Sequence, residues 1–332
     1  MNRLVAALRR QPTDRRPVWV MRQAGRHLPE YRELRTSVGF SEAVSTPEIA
    51  AEITLQPIHR YGMDGAVIFA DIMTPLQAMG VDVEFTPGPS LRPHSLAEVA
   101  ALPPLDVDRV GHVAETIRLV TAAVPDDTAV VGFAGAPFTL LAYLVEGGGS
   151  KDFAAMRGAV LADPPTARAA LENLAHSMAA YLGLQVAAGA DAVQLFDSWA
   201  GMLDEATYRD LAMPAARSAL DVAGAPRIYF APHGPHLLGA QVGIGAEAHG
   251  VDWRLPIDEV WHLLGDDVAI QGNLDPAVLL TDPDTIAART AELLAATAGR
   301  PGHVVNLGHG IDRTTPPEHV AAFVAAVREG PV

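Results

Sequence analysis

Cysteine is absent from all 332 residues. Disulfides, thiolate nucleophiles and thiolate-ligated zinc are therefore excluded. Lysine is nearly absent: Lys151 stands alone against 23 arginines. A Schiff-base aldolase built on alternating strands and helices would carry its lysine at a strand end. Lys151 instead follows Gly147, Gly148 and Gly149, a hinge or C-cap signal, and so disfavours that chemistry. Positive charge as a whole is scarce. With a net charge of -15, general affinity for nucleic acid or anionic membrane is not expected. Long apolar runs are scarce too. The N-terminus offers only LVAAL, too short for a secretory core; its Arg-rich, acid-poor composition resembles a transit peptide, but a first strand at Val18 leaves little to cleave. Thr128 to Val145 carries no charge over 18 residues, yet Gly132, Gly135 and Pro137 interrupt it, as a strand, loop and helix would, rather than a membrane span. These absences predict a cytoplasmic protein.

The positive charge that is present is concentrated. Nine of the 24 basic residues fall in the first 35 positions. Segment 17–35, PVWVMRQAGRHLPEYRELR, starts as an apolar strand and turns abruptly into a loop carrying Arg22 and Arg26, then Arg32 and Arg35. An arginine at the end of a buried strand is costly unless an anion meets it. Arg22 and Arg26, with Gly25 to bring backbone close, have the makings of a planar, multi-donor anion clamp. Arg32 and Arg35 read as surface residues paired with Glu30 and Glu33.

Short β-branched or apolar runs recur along the chain, each followed by a polar or glycine turn and a helical stretch. They fall at 18–21, 66–69, 129–133, 192–196, 228–230, 250–253, 268–271 and 304–307, with helices expected over 165–188 and 204–223 and helix starts at Pro47, Pro276 and Pro316. Eight such units predict an α/β chain forming a single-domain (β/α)₈ TIM-type barrel over 1–332, with a proline-rich insertion over 87–104. An open, doubly wound sheet would carry a glycine-rich phosphate turn after its first strand; MRQAGR stands there instead.

Chemistry in such barrels collects at the C-terminal ends of the strands. The first delivers Arg22 and Arg26. The second ends FADI, with Asp71. The third leads into GFAGAPFTLLAYLVEGGG, with Tyr143 in the helix. The fourth ends LFDSWAG, with Asp197 and Ser198, and the eighth ends NLGHG, with His309 left exposed between two glycines. Asp71, Asp197 and Ser198 are equally suited to cap the next helix, and Tyr143 to pack with a wet tip. His233 and His236 lack a carboxylate or thiolate partner at metal-site spacing, so no metal is expected.

On these segments the chain resembles the uroporphyrinogen decarboxylase family. PVWVMRQAGRHLPEYR, IFADI, GFAGAPFTLLAYLVEGGGS, QLFDSWAG, GVDWR, QGNLDP and NLGHG carry the resemblance, in order and over nearly the whole chain. It implies a (β/α)₈ barrel, usually a homodimer, that removes carbon dioxide from the four acetates of uroporphyrinogen without metal or cofactor, giving coproporphyrinogen. By the same resemblance, Arg22, Gln23, Ala24, Gly25 and Arg26 hold substrate carboxylates and Asp71 meets the central pyrrole N–H groups. Tyr143, Ser198 and His309 bind side-chain carboxylates or line the cleft, and Phe196 forms an apolar wall. Trp199 departs from the histidine of some relatives, and FAPHGPH from the lysine or glycine-rich turn of others. The implied chemistry makes Asp71 and Arg22 the catalytic pair. Asp71 is expected to be ionised by nearby arginine and to face a ring cation; the proton donor stays open between Arg22 and water. A corrinoid-linked methyltransferase, a distant relative that holds zinc with histidine and cysteine, and a non-catalytic tetrapyrrole binder are the alternatives.

Overall fold

A computed structural model describes residues 2–85 and 88–331. Seven parallel strands form one curled sheet: β1 (Gly65–Val67), β4 (Ala129–Gly135), β5 (Ala192–Phe196), β6 (Arg227–Phe230), β7 (Ala248–Gly250), β8 (Ala269–Leu274) and β9 (His303–Leu307), hydrogen-bonded in that order. Between β1 and β4, β2 (Glu84–Phe85) and β3 (Pro89–Ser90) make a small antiparallel pair. The proline-rich insertion expected over 87–104 begins on Pro87, which lies outside the described residues. The strands are Val-, Ile- and Ala-rich and almost wholly buried, as parallel strands covered by helices must be. The α/β class and the strand-then-helix order therefore stand, and every expected strand after the first is found within a few residues of its place.

The first expected strand, 18–21, is not a strand. Val18 makes a single parallel bridge to Val305, with Val305 N–H donating to Pro17 O at 2.9 Å and Trp19 N–H to Val305 O at 3.3 Å. On its other side Asp64 N–H donates to Val18 O at 2.8 Å. The remaining ladder positions are taken by side chains: Val18 N–H donates to Asp64 Oδ2 at 2.8 Å, Val20 N–H to Gln23 Oε1 at 3.0 Å and Met21 N–H to Asn306 Oδ1 at 3.1 Å. Segment 17–20 thus lies between the two outer strands of the sheet, but side chains satisfy most of its backbone.

Pro164–Ala188 forms the expected long helix, with Asp163 Oδ1 accepting Thr166 N–H at its start and Gly189, at φ 116°, ending it. Leu171, Leu174, Met178 and Leu182 are buried on one face. The helix expected over 204–223 forms over 205–219, but it widens partway along. Glu205–Thr207 runs into a wide turn at Tyr208–Ala212, then Met213–Ala219. Pro214 has no N–H to give the ladder, and the Asp210 carbonyl accepts from Arg168 at 2.8 Å.

Candidate active site

The strand exits at one end of the sheet converge on a polar mouth. Arg22 follows segment 17–20, in a left-handed backbone at φ 64°. Its guanidinium reaches solvent, yet it sits deep enough that burial and the charge of Arg26 pull its pKa below the ordinary value. Neither Arg22 nor Arg26 has a carboxylate partner among the described residues. The expected pairing of Arg32 and Arg35 with Glu30 and Glu33 is not made: Glu30 binds Arg60 at 2.7 Å, while Arg32 donates to Arg26 O and Arg35 to Val38 O. Helix register aims Glu30 toward the neighbouring helix, where Arg60 waits. Gln23 faces inward. Its amide donates to Gly65 O at 2.7 Å and its oxygen accepts Val20 N–H, so its side chain shapes the loop from behind. Ala24 and Gly25 are half-buried. A side chain at Gly25 would press on the Arg22 carbonyl at 3.1 Å.

Asp71 lies four residues beyond β1. Its Oδ1 accepts Met73 N–H at 2.8 Å, the turn-forming role open to it from the sequence, and its Oδ2 has no hydrogen-bond partner among the described residues. The expectation that arginine holds this carboxylate ionised is not met. No cation pairs with it, and burial pushes its pKa up against the opposing Met73 bond. Tyr143, on the helix Pro137–Glu146, stands near enough to feel the charges of both Asp71 and Arg22. Burial raises its phenol, Asp71 adds to the rise and Arg22 opposes it. A cavity of about 230 Å³ is lined by Asp71 together with Phe40, Thr74, Phe85, Arg109 and His112. It shares Asp71 with the mouth but none of the other side chains named there.

Ser198 and Asp197 part company at the end of β5. Asp197 turns inward, fully buried, accepting from Thr139 Oγ1 at 2.9 Å and from Tyr229 OH at 2.8 Å. Burial pushes its pKa up to about 6 against those hydrogen bonds. Thr139 in turn accepts Trp199 N–H at 3.2 Å, which fixes the turn holding Ser198 half-exposed at the rim. The Trp199 indole stands edge-on to Tyr143 at 6.0 Å. Phe196 belongs to an aromatic arc: Phe133–Phe196 at 5.6 Å, Phe196–Phe230 at 6.0 Å, Phe230–His309 at 6.5 Å. His309 is half-buried, not exposed. Burial, then Arg22, His233 and Arg254, lower its pKa to about 4. Its flanking glycines serve packing: a Cβ at Gly308 would come within 2.5 Å of Trp253 N, and one at Gly310 would collide with the Arg22 side chain.

Arg22, Arg26, Asp71, Tyr143, Phe196, Ser198 and His309 are therefore neighbours through these links, and Gln23 stands behind them. Trp253, Arg254 and His233 join them without having been singled out for this mouth; their signal was only the GVDWR segment and a histidine pair weighed as a metal site and set aside. His236 is turned away, its ring nitrogen 2.8 Å from Leu203 O. No cluster of three or more metal-ligating side chains occurs among the described residues. The mouth thus brings together unpaired cations, one uncompensated carboxyl and a hydrophobic arc.

The family model for uroporphyrinogen decarboxylase (URO-D) matches residues 1–330. Among curated proteins, the chain is similar to uroporphyrinogen decarboxylase of Chloroflexus aggregans, 44% identical over 100% of this chain and 96% of that one. It is 45% identical to the Streptomyces avermitilis protein of the same name, covering 97% and 92%, and 45% identical to that of Rhodococcus jostii, covering 98% and 94%. Among solved structures, a methyltransferase from Methanosarcina mazei superposes with a TM-score of 0.81 at 21% identity, over 98% of this chain and 97% of that one. A putative vitamin-B12 independent methionine synthase from Listeria monocytogenes does so at 0.59 and 13%, over 95% and 96%. At such identities these two structures share the fold only.

Proposed function

The chain belongs to the uroporphyrinogen decarboxylase family, and from that premise we propose how its cleft divides the labour. The activity is that of a carboxy-lyase: uroporphyrinogen loses carbon dioxide from its four acetates and becomes coproporphyrinogen, a step of porphyrin biosynthesis. Decarboxylation leaves an electron pair that needs a sink. A pyrrole supplies its own. Protonation of the ring carbon beside the one bearing the acetate makes an iminium-like cation; loss of carbon dioxide sends the bonding pair into it and leaves an exocyclic methylene, and a proton added to that methylene, with the ring proton released, gives the methyl and restores aromaticity, so no cofactor is required.

The protein's task is then electrostatic. Asp71 holds the pyrrole N–H groups with its free Oδ2 and faces the developing cation. Burial pushes its carboxyl toward neutrality; N–H donors and a positive ring reverse that, because both favour the charged form. Such preorganised charge contributes ~3–4 kcal/mol, by analogy with a single oxyanion-hole donor, or about 10²–10³ in rate. Arg22 and Arg26, with the backbone of Ala24 and Gly25, hold carboxylates at the rim, and Gln23 keeps their loop in place. Arg22 or a water it orients delivers the proton; a guanidinium is itself a very weak acid. Tyr143, kept neutral by burial, and Ser198 donate to side-chain carboxylates, His309 binds another, and Phe196 offers the apolar wall.

The observation that carries this reading is a half-buried carboxyl with no cation and two guanidiniums with no anion among the described residues at one mouth, with Tyr143 feeling the charge of both Asp71 and Arg22. Incubation with uroporphyrinogen III, followed by chromatography, tests it; products with progressively fewer carboxyls are expected, and unaltered substrate contradicts it. The same reading takes segment 17–20 as the eighth strand, closing the barrel between β9 and β1, and the chain as one catalytic domain. It also takes the enzyme as a cytoplasmic homodimer with a small-molecule substrate and no nucleic-acid or membrane partner. In support, no helix among the described residues is long and apolar enough to cross a membrane.

A further inference from the structure

The loop after β6 turns at His233, whose backbone is left-handed at φ 63°. Histidine adopts that conformation uncommonly, and it persists where the surroundings insist on it, often beside bound ligands. Two neighbours insist here. Asp252 Oδ2 accepts His233 N–H at 2.7 Å. Gly201 has no side chain where a Cβ would come within 2.6 Å of the His233 carbonyl oxygen. The result is an imidazole held beside that of His309, with ring centroids 5.9 Å apart and planes at 48°. Trp253 stands edge-on to His309 at 6.4 Å, and the Arg254 guanidinium covers Trp253 at 4.4 Å. Arg22 acts on His309 from the other side.

The charges around this pair are unbalanced. Arg22, Arg254 and two imidazoles face one carboxylate, Asp252, which is already engaged. Its Oδ2 takes His233 N–H and the Arg254 guanidinium at 2.7 Å each, and its Oδ1 takes Arg254 N–H at 3.0 Å. The group has hydrogen-bond donors to spare and no free anion of its own. An external anion small enough to sit between two rings, and fixed to something already in the cleft, completes it.

We infer that His233 is a second imidazole of the substrate site and that, with His309, it binds one peripheral carboxylate of the tetrapyrrole. The inference rests on the proposed function and deepens it: the place read from the sequence as a weak metal pair becomes a carboxylate subsite particular to this chain's FAPHGPH loop. Binding at this subsite takes up a proton. Burial, then Arg254, hold His233 below its ordinary pKa, with Asp252 opposing; His309 is held at about 4. A carboxylate between the rings favours imidazolium, while Arg254 keeps its charge and Asp252 stays bonded to it. Affinity therefore falls as pH rises from the value of about 4 held by His309 toward the higher pKa of the bound imidazolium.

Steady-state kinetics with uroporphyrinogen III on wild type, His233→Asn and His233→Gly test this. Asparagine and glycine both accept the left-handed backbone, and glycine relaxes it, so at least one variant reports even if the other folds poorly. The expected result is kcat within about twofold of wild type, KM raised about tenfold near pH 6, as for loss of one charge-assisted hydrogen bond, and a flatter dependence of KM on pH. Unchanged KM and unchanged pH dependence in an otherwise active enzyme overturn the inference, as does a loss confined to kcat. A wild-type enzyme that forms no decarboxylated product strikes instead at the function. Independently of any variant, fluorescence titration of wild type with coproporphyrin should show weaker binding at pH 8 than at pH 6; equal affinity contradicts proton uptake.

Discussion

Asp71 concentrates the account at the scale of single residues. Its carboxyl is buried without a cation, spends one oxygen on Met73 N–H and keeps the other free. Asp71→Asn keeps that turn and the shape of the cleft but removes the charge. We expect an intact fold and a kcat lowered about a hundredfold or more; single-turnover assays giving near-normal rates would show that the charge is not used. Arg26→Ala tests the rim. With no carboxylate partner to strand, it should cost little stability and act first on KM, and a variant with unchanged KM and kcat counts against the clamp. The sequence showed which residues stand at the strand exits, because each follows a β-branched run and precedes a helix start. It did not show which way each one faces. Asp197 and Ser198 differ by one position, and at a strand end one position separates the interior from the rim. Nor could it show that no arginine pairs with Asp71, since Arg22 packs against Gly310, remote from both in the chain.

Between elements, the junction of segment 17–20 with β1 and β9 places the arginine loop. Asp64, 3% exposed, holds it with three hydrogen bonds: two from Arg15 at 2.7 Å and one from Val18 N–H at 2.8 Å. Asp64→Ala strands a partly buried guanidinium and a buried N–H. The loss should be about 3 kcal/mol in urea denaturation, as for breaking a buried pair from one side, with faster amide exchange over 18–21; a loss under about 1 kcal/mol would mean the junction is held elsewhere. This junction was only half legible. Val18, Trp19 and Val20 have the pattern of a strand, but the substitution of Asp64, Gln23 and Asn306 side chains for ladder partners depends on residues up to 285 positions away. The widening before Pro214 was hidden for a related reason: the hydrophobic period continues through it, and only the missing N–H departs from a regular helix.

For the whole molecule, acid should be destabilising well above the carboxylate range. His303, His249 and His27 are buried and neutral, held by burial at about 3, about 4 and about 4. Between those values and the unfolded histidine pKa near 6.5, the unfolded chain binds protons that the folded one refuses, so stability falls as pH drops through that window. Asp197 and Asp71, with raised pKa values, bind protons in the folded state and work in the opposite direction, but they are fewer. Tm should be lower at pH 5 than at pH 7 by more than about 5 °C, read by scanning calorimetry; an equal or higher Tm at pH 5 contradicts the burial of neutral histidines. All of these scales meet in the cleft, and the most direct test of the central claim is a crystal structure of the enzyme with coproporphyrinogen bound. The account predicts the pyrrole N–H groups within hydrogen-bond distance of Asp71 Oδ2 and peripheral carboxylates on Arg22 and Arg26. A macrocycle lodged elsewhere, with Asp71 touching none of its nitrogens, would contradict it.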